Sequence, residues 1–313
     1  MAIKKYQVIG LMSGSSLDGL DIAYCTFDID KEKENPVIKW ELHQAATVPF
    51  SEKWIARLAH LPHASAKDYA RTHTYLGRYM GEIVQEFIAF YKLTPDFIAS
   101  HGHTIFHEPD GMFTAQIGEG AALAAVSGFP VVCDFRTADI ARKGEGAPFA
   151  PIADKYLLDD HDFYLNIGGI ANITCNANGK FIAFDTAPAN QVLNILANQL
   201  ELPYDDKGAK AASGKVNNEL LNTVNSIDYF SKKYPKSMDN QWVQTQVVPK
   251  YIEASGTWED KLNTAVEQLA IQTKNAIQNI IQNENLNKEK YTLFPTGGAV
   301  SYTHLTLPTI LLV

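Results

Sequence analysis

The sequence predicts an α/β protein with a duplicated, two-domain core, and three observations lead there. Each half of the chain opens with two apolar, strand-forming runs joined by a short turn of small residues, and a third such run follows. Helical stretches and short strands then alternate in both halves. The 313 residues are enough for two domains with a sizeable core each.

Residues 6–12 are an apolar run rich in strand formers, ending at the turn-prone Ser13-Gly14-Ser15-Ser16. Residues 20–27 resume as a strand, and residues 37–48 supply a third after the charged turn 28–36. Two helical stretches follow, 51–60 and 67–91. In the second, Tyr75, Tyr79, Ile83, Phe87 and Phe90 recur at helical spacing, which predicts that its aromatic residues pack in the core. Residues 97–100 read as a short buried strand, 119–127 as a helix and 130–135 as another strand.

The second half repeats the theme. Residues 163–167 and 170–175 are apolar runs separated by Gly168-Gly169 alone, a hairpin signal because the favoured two-residue turns need positive φ. Residues 181–185 read as a third strand, 189–200 and 261–282 as helices, and 291–294 as a strand running into Thr296-Gly297-Gly298. No low-complexity linker separates the halves, and the expected domains are residues 1–130 and 131–299, with 300–313 as a tail.

Hydrophobic residues make up 46% and charged residues 20%, which fits a soluble globular chain. The net charge of -8 weighs against nucleic acid or an anionic membrane as partner. It does not exclude phosphate ligands, which backbone N–H groups and a bound cation hold locally. Cys25, Cys133 and Cys175 show neither a disulfide framework nor a metal-binding pair, so the cytoplasm is the expected setting. No signal-peptide core is present, and no stretch reaches the ~18 apolar residues of a membrane span.

Three constellations carry chemistry. In Gly10-Leu11-Met12-Ser13-Gly14-Ser15-Ser16-Leu17-Asp18-Gly19, glycines and hydroxyls at a strand-to-strand turn suit phosphate oxygens, with Asp18 near Mg²⁺. The alternative is a plain polar hairpin turn, because Gly and Ser are common turn formers. The stretch is neither a Walker A motif nor GxGxxG. Asn166-Ile167-Gly168-Gly169-Ile170-Ala171-Asn172-Ile173-Thr174 offers a matching phosphate-facing hairpin. At Thr296-Gly297-Gly298-Ala299, missing side chains let a flat base or ribose lie against the backbone. In this order they resemble the layout of hexokinase, actin and the heat-shock chaperone ATPases. That likeness implies two duplicated actin/hexokinase-like domains with a nucleotide- and sugar-binding cleft between them.

Further motifs stand along the chain: Ser100-His101-Gly102-His103-Thr104, Gln116-Ile117-Gly118, Val131-Val132-Cys133-Asp134-Phe135-Arg136, Gly144-Glu145-Gly146-Ala147-Pro148 and Phe184-Asp185-Thr186. With the opening Gly-Leu-Met-Ser-Gly, this series resembles that of the anhydro-N-acetylmuramic acid kinases, from about Val8 to about Ala299. The resemblance implies ATP and Mg²⁺, an amino-sugar substrate, and opening of the sugar's internal anhydro bridge with water added at C1 and phosphate at O6. It implies an ATP-binding turn at Gly14, Ser15, Ser16, Leu17, Asp18, Gly19, Leu20 and Asp21, with nucleotide contacts at Gly168, Gly169, Gly297 and Gly298. Asp185 matches the catalytic aspartate, and Arg136 a position lining the sugar site, to which His101 and Asn190 are added. Partners are then the sugar and ATP, with no nucleic acid and no membrane, and with room for a homodimer.

Departures from the family pattern are Ser15 for threonine, His103 for glutamine, and Ala187 and Ala189 for glycines. Residues 300–313 do not resemble the family's closing segment, so the first domain is expected to expose apolar surface.

From the residues alone, Asp185 is either a base or the cap of the following helix. Arg136 is either a solvated surface residue or a paired donor to a carboxylate such as the muramic lactyl group. His101, His103 and His107 invite a zinc reading that their neighbours, with no cysteine and no HExxH helix, do not support. Two rival functions stay open: a kinase of the same fold for another amino sugar, and a nucleotide-binding protein without turnover, such as an inactive fragment.

Overall fold

The three opening runs form an antiparallel meander of β1 (Lys4–Ser13), β2 (Gly19–Ile29) and β3 (Val37–Pro49). The computed structural model describes residues 3–14, 17, 19–33, 35–158 and 161–298. Alternation along β1 and β2 turns Ile9, Leu11, Leu20, Ile22 and Tyr24 to one buried face. Against it packs α2 (Ala66–Tyr91), which follows α1 (Glu52–His60). Ser65 starts α2 by accepting the Asp68 N–H, and Lys92, at φ 55°, ends it in the left-handed conformation.

The buried stripe of α2 is Leu76, Met80, Ile83, Val84 and Phe87. The aromatic series expected in the core is therefore only partly there: Tyr75 is 47% and Phe90 79% exposed. Tyr75 sits at the edge of the stripe, beside Arg57, and Phe90 lies in the last turn, edge-on to Tyr91.

The chain then returns as β4 (Phe97–Glu108), parallel to β1, and turns into β5 (Phe113–Ile117), antiparallel to the second half of β4. After α3 (Gly120–Ser127), β6 (Val131–Cys133) lies parallel to the first half of β4, at Ile98–Ser100. α4 (Thr137–Ala141) closes this unit. The two compact units of the chain divide after Gly146, not at 130/131, because β6 is paired into the first sheet. On the sheet face away from α2, Val8, Gly10, Cys25, Phe27, Phe97 and Ala99 line an apolar groove of about 460 Å³.

In the second unit, α5 (Pro151–Leu157) precedes a second meander of β7 (Phe163–Ile167), β8 (Ile170–Ala177) and β9 (Lys180–Pro188). Helices α6 (Asn190–Asn198), α7 (Ala209–Ser213), α8 (Asn218–Asn225), α9 (Asp228–Ser231) and α10 (Asn240–Trp242) follow. A π-type turn at Val243–Val247 leads into α11 (Val248–Glu253) and then α12 (Trp258–Asn283). Thr257 and Asp260 start α12 with a reciprocal capping box.

β10 (Leu293–Thr296) then joins parallel to β7. The second sheet runs β10-β7-β8-β9, and the first contains β4-β1-β2-β3. Both place a parallel strand beside the first strand of an antiparallel meander, which is the expected duplication. No helix among the described residues is long and apolar enough to cross a membrane.

Candidate active site

In the first unit, the β1–β2 turn follows the Gly-Leu-Met-Ser run. Of the residues assigned there to nucleotide, Ser15, Ser16 and Asp18 lie outside the described residues. The Leu17 N–H donates to the Gly14 carbonyl, and Leu17 takes a positive φ of 60°. Gly19 has a packing reason of its own, since a Cβ there would strike the Val48 carbonyl across β2 and β3. Leu20 is fully buried in the core, so only its backbone can face a ligand. Asp21 accepts the Thr47 hydroxyl at 2.5 Å.

Close by, β4 carries two buried histidines. Ser13, the last residue of β1, is hydrogen-bonded to His103 Nδ1 at 3.0 Å. His101 Nδ1 donates to the Gly102 carbonyl at 3.1 Å, so its Nε2 accepts from Arg136 Nε, 2.8 Å away. Arg136 also donates through Nη1 to the Gly146 carbonyl at 2.7 Å. Burial first, then the neighbouring Arg136 charge, lowers His101 to about 4. Burial and His101 lower His103 likewise to about 4. Both rings are neutral at pH 7, and His101 serves as a fixed acceptor that orients the guanidinium. The structure thus brings His101 and Arg136 together, and with its two ring nitrogens so bonded His101 is poorly placed for zinc.

In the second unit, the expected glycines converge. Gly297, at φ 93°, lies so close to β7 that a Cβ would collide with the Ile167 backbone. A Cβ on Gly298 would sit 3.8 Å from Asn190 Nδ2. Asn166 Nδ2 donates to Thr296 Oγ1 at 3.3 Å, tying β7 to β10 at this end. The hairpin at Gly168-Gly169 forms, but neither glycine takes the expected positive φ. Their carbonyls instead accept the N–H groups that open α6: Asn190 donates to Gly168, and Ala189 and Gln191 to Gly169. Asn190, assigned to sugar, therefore stands among the glycines assigned to nucleotide.

Asp185 lies within β9 and is 5% exposed. Asn172 pairs with Asp185 and Ala171 with Ala187, so Thr186 is the extra residue of a β-bulge beside the carboxylate. The Asp185 Oδ2 accepts the Met238 N–H at 2.8 Å. Its backbone N–H donates to the Lys236 carbonyl, and its carbonyl accepts the Tyr229 hydroxyl at 2.9 Å. The helix-cap alternative fails, because α6 begins after Ala189 with no side-chain cap. Tyr229 and Met238 were not legible as site residues, since Met238 donates through its backbone and the Tyr229 hydroxyl meets a backbone carbonyl 44 residues away.

The family model for anhydro-N-acetylmuramic acid kinase matches residues 6–306. The chain belongs to that family. The match runs past Ala299 into the stretch read as unlike the family, and residues 299–313 lie outside the described residues. A curated anhydro-N-acetylmuramic acid kinase of Azorhizobium caulinodans is 35% identical over 274 residues, 81% of this chain and 72% of that protein. One from Coxiella burnetii is 33% identical over 314 residues, 96% of this chain and 81% of that protein. Among solved structures, an ethanolamine utilization protein EutJ from Carboxydothermus hydrogenoformans is similar at 12% identity and a TM-score of 0.38, covering 99% of this chain and 83% of that one. The family assignment does not rest on that last likeness. Membership in the kinase family makes the chain an ATP-dependent sugar kinase.

Proposed function

We propose that the chain opens the 1,6-anhydro bridge of anhydro-N-acetylmuramic acid with water and phosphorylates O6, giving N-acetylmuramic acid 6-phosphate. The observation that carries this reading is the buried Asp185 carboxylate, held on a β-bulge by the Met238 N–H and unused as a helix cap. Water is a poor nucleophile, and a carboxylate beside C1 accepts its proton as the C1–O bond forms. The C1–O6 bond breaks, and O6 takes the phosphoryl group that ATP supplies. Phosphorylation traps the leaving oxygen, so one carboxylate serves where an inverting glycosidase needs two.

Arg136, fixed by His101 and the Gly146 carbonyl, is assigned to the lactyl carboxylate of the sugar. Gly168, Gly169, Gly297 and Gly298 are assigned to the nucleotide. Gly297 and Gly298 are exposed and carry no side chains, which fits a flat base or ribose, while the close approach of Gly297 to the Ile167 backbone is a packing requirement of its own. Mg²⁺ is assigned to travel with ATP and to meet Asp18. Such an ion takes one or two carboxylates beside the phosphates, so it needs no cluster of three, and none is present among the described residues. The free thiols Cys25, Cys133 and Cys175 support a cytoplasmic setting.

Mass spectrometry of the product from anhydro-N-acetylmuramic acid and ATP tests the reading. A gain equal to water plus one phosphoryl group is expected. Phosphorylation of other amino sugars in its place would redirect the substrate, and binding of ATP without product would leave a non-catalytic protein.

A further inference from the structure

A cavity of the second unit lies beside the core cluster of Phe163, Ile173 and Phe184. The glycine turns and Asn190 border the cluster built on Leu165, Ile167, Ala171 and Ala187. The cavity, of about 290 Å³, adjoins the cluster of Phe163, Ile173, Phe184 and Ile277, and Thr186, the bulge residue next to Asp185, also lines it. One wall is the 230–236 segment with Lys232, Lys233 and Lys236, and the other is the second half of α12 with Asn275, Asn279 and Asn283. Those three amides recur every fourth residue, which stacks them on one stripe of the helix.

The charge is one-sided. No Asp or Glu is among the residues lining the cavity, although the chain as a whole carries -8. None of the three lysines has a carboxylate within 4.0 Å among the described residues. Lys236 Nζ donates to the Tyr229 and Phe230 carbonyls at 3.1 and 3.5 Å, which uses two of its three N–H groups. The wall is also held in place, because the Lys236 carbonyl accepts the Asp185 N–H and Tyr229 donates to the Asp185 carbonyl. A preformed cavity lined by cations and amide donors, with no anion of its own, suits a compact oxyanion with several acceptor oxygens.

We propose that this cavity is a binding site for a phosphate dianion, either free or as the monoester of a small sugar. Its volume of about 290 Å³ holds phosphate with several waters, at roughly 30 Å³ each, or a phosphorylated monosaccharide. Burial, and then the Lys232 charge, hold the Lys236 ammonium down at about 8, a cost that a bound anion would offset.

Isothermal titration of the full chain at constant ionic strength tests the site, with inorganic phosphate and a hexose 6-phosphate as probes. Saturable binding is expected, weakened at least ~10-fold in the Lys232→Gln, Lys233→Gln double variant, whose lysines are exposed, so that the fold is expected to survive. Asn279→Asp keeps the size of the side chain, adds a negative charge to the cavity, and is expected to weaken binding in the same direction. Asp185→Asn is expected to leave it unchanged. Tighter binding of the hexose phosphate assigns the site to a monoester, and tighter binding of phosphate assigns it to the free ion. Saturation by neither probe, or wild-type affinity in both the lysine variant and Asn279→Asp, overturns the proposal.

Discussion

Met238 donates its backbone N–H to Oδ2 of Asp185 across 53 residues of chain, and the bond is made where Thr186 bulges out of β9. A bulge bends its strand and re-aims the side chains beside it. The carboxylate is thus oriented by a backbone donor, which keeps its position whatever side chain residue 238 carries. The Tyr229 hydroxyl adds a second tether at the Asp185 carbonyl.

Tyr229→Phe removes that second tether and keeps the ring that packs against Trp242. Stability is expected to fall by about 1 kcal/mol, the usual worth of one buried hydrogen bond. Because Asp185 keeps its bond to Met238, kcat should drop less than in any variant of the carboxylate itself. Urea unfolding and steady-state rates check both, and an unchanged stability would mean that the tether contributes nothing.

Acid should unfold the chain through His101 and His103. Each is held near 4 in the folded protein, against an ordinary value near 6.5. Between those values the unfolded chain takes up protons that the folded chain refuses, so stability falls as pH drops from about 6.5 to about 4. Above and below that window the two rings contribute no slope. His103→Gln keeps a polar partner for Ser13 and cannot titrate, so it should lose less stability than the wild type between pH 7 and 4.5. Equal losses would remove His103 from the account.

Two glycines in the second unit should respond unequally to an added methyl group. Gly297→Ala must adopt φ 93° and press on the Ile167 backbone, so it should cost more than about 1 kcal/mol and lower Tm. A Cβ on Gly168 meets only Asn166 Oδ1 at 3.5 Å and the Ile170 carbonyl at 3.8 Å. Gly168→Ala should therefore stay within about 0.5 kcal/mol of the wild type, while the KM for ATP rises. A stable Gly168→Ala protein with an unaltered KM for ATP would take that turn out of the nucleotide site.

What was legible in the sequence was local. The apolar runs 163–167 and 170–175 around two glycines placed β7 and all but the end of β8, and the spacing over 67–91 placed α2 to within a residue. β6 is three residues long, and its pairing with β4, together with the Arg136–His101 bond, assigns 131–146 to the first unit through contacts between distant parts of the chain. The Gly168-Gly169 turn was expected to need positive φ, yet its carbonyls are satisfied by the first N–H groups of α6. Asp185 stood out as a strand-end carboxylate, but Met238, its partner, is an ordinary apolar residue in sequence.

The origin of the new oxygen reports on the role of Asp185. If Asp185 is the base, water attacks C1 while O6 departs and captures the phosphoryl group of ATP. Reaction in heavy-oxygen water should then place the label on the C1 hydroxyl and none on the transferred phosphate. Label found in phosphate would instead report plain ATP hydrolysis. Asp185→Asn keeps the side chain's size and a carbonyl oxygen for the Met238 N–H, so the fold should survive. It cannot take the proton from water, and a rate loss of at least ~10²-fold is expected. Affinity for ATP should change little, because the carboxylate is assigned to the sugar. Normal turnover in Asp185→Asn would mean that the bulge, the Met238 bond and the burial of Asp185 serve the fold alone, and that the proton goes to another group.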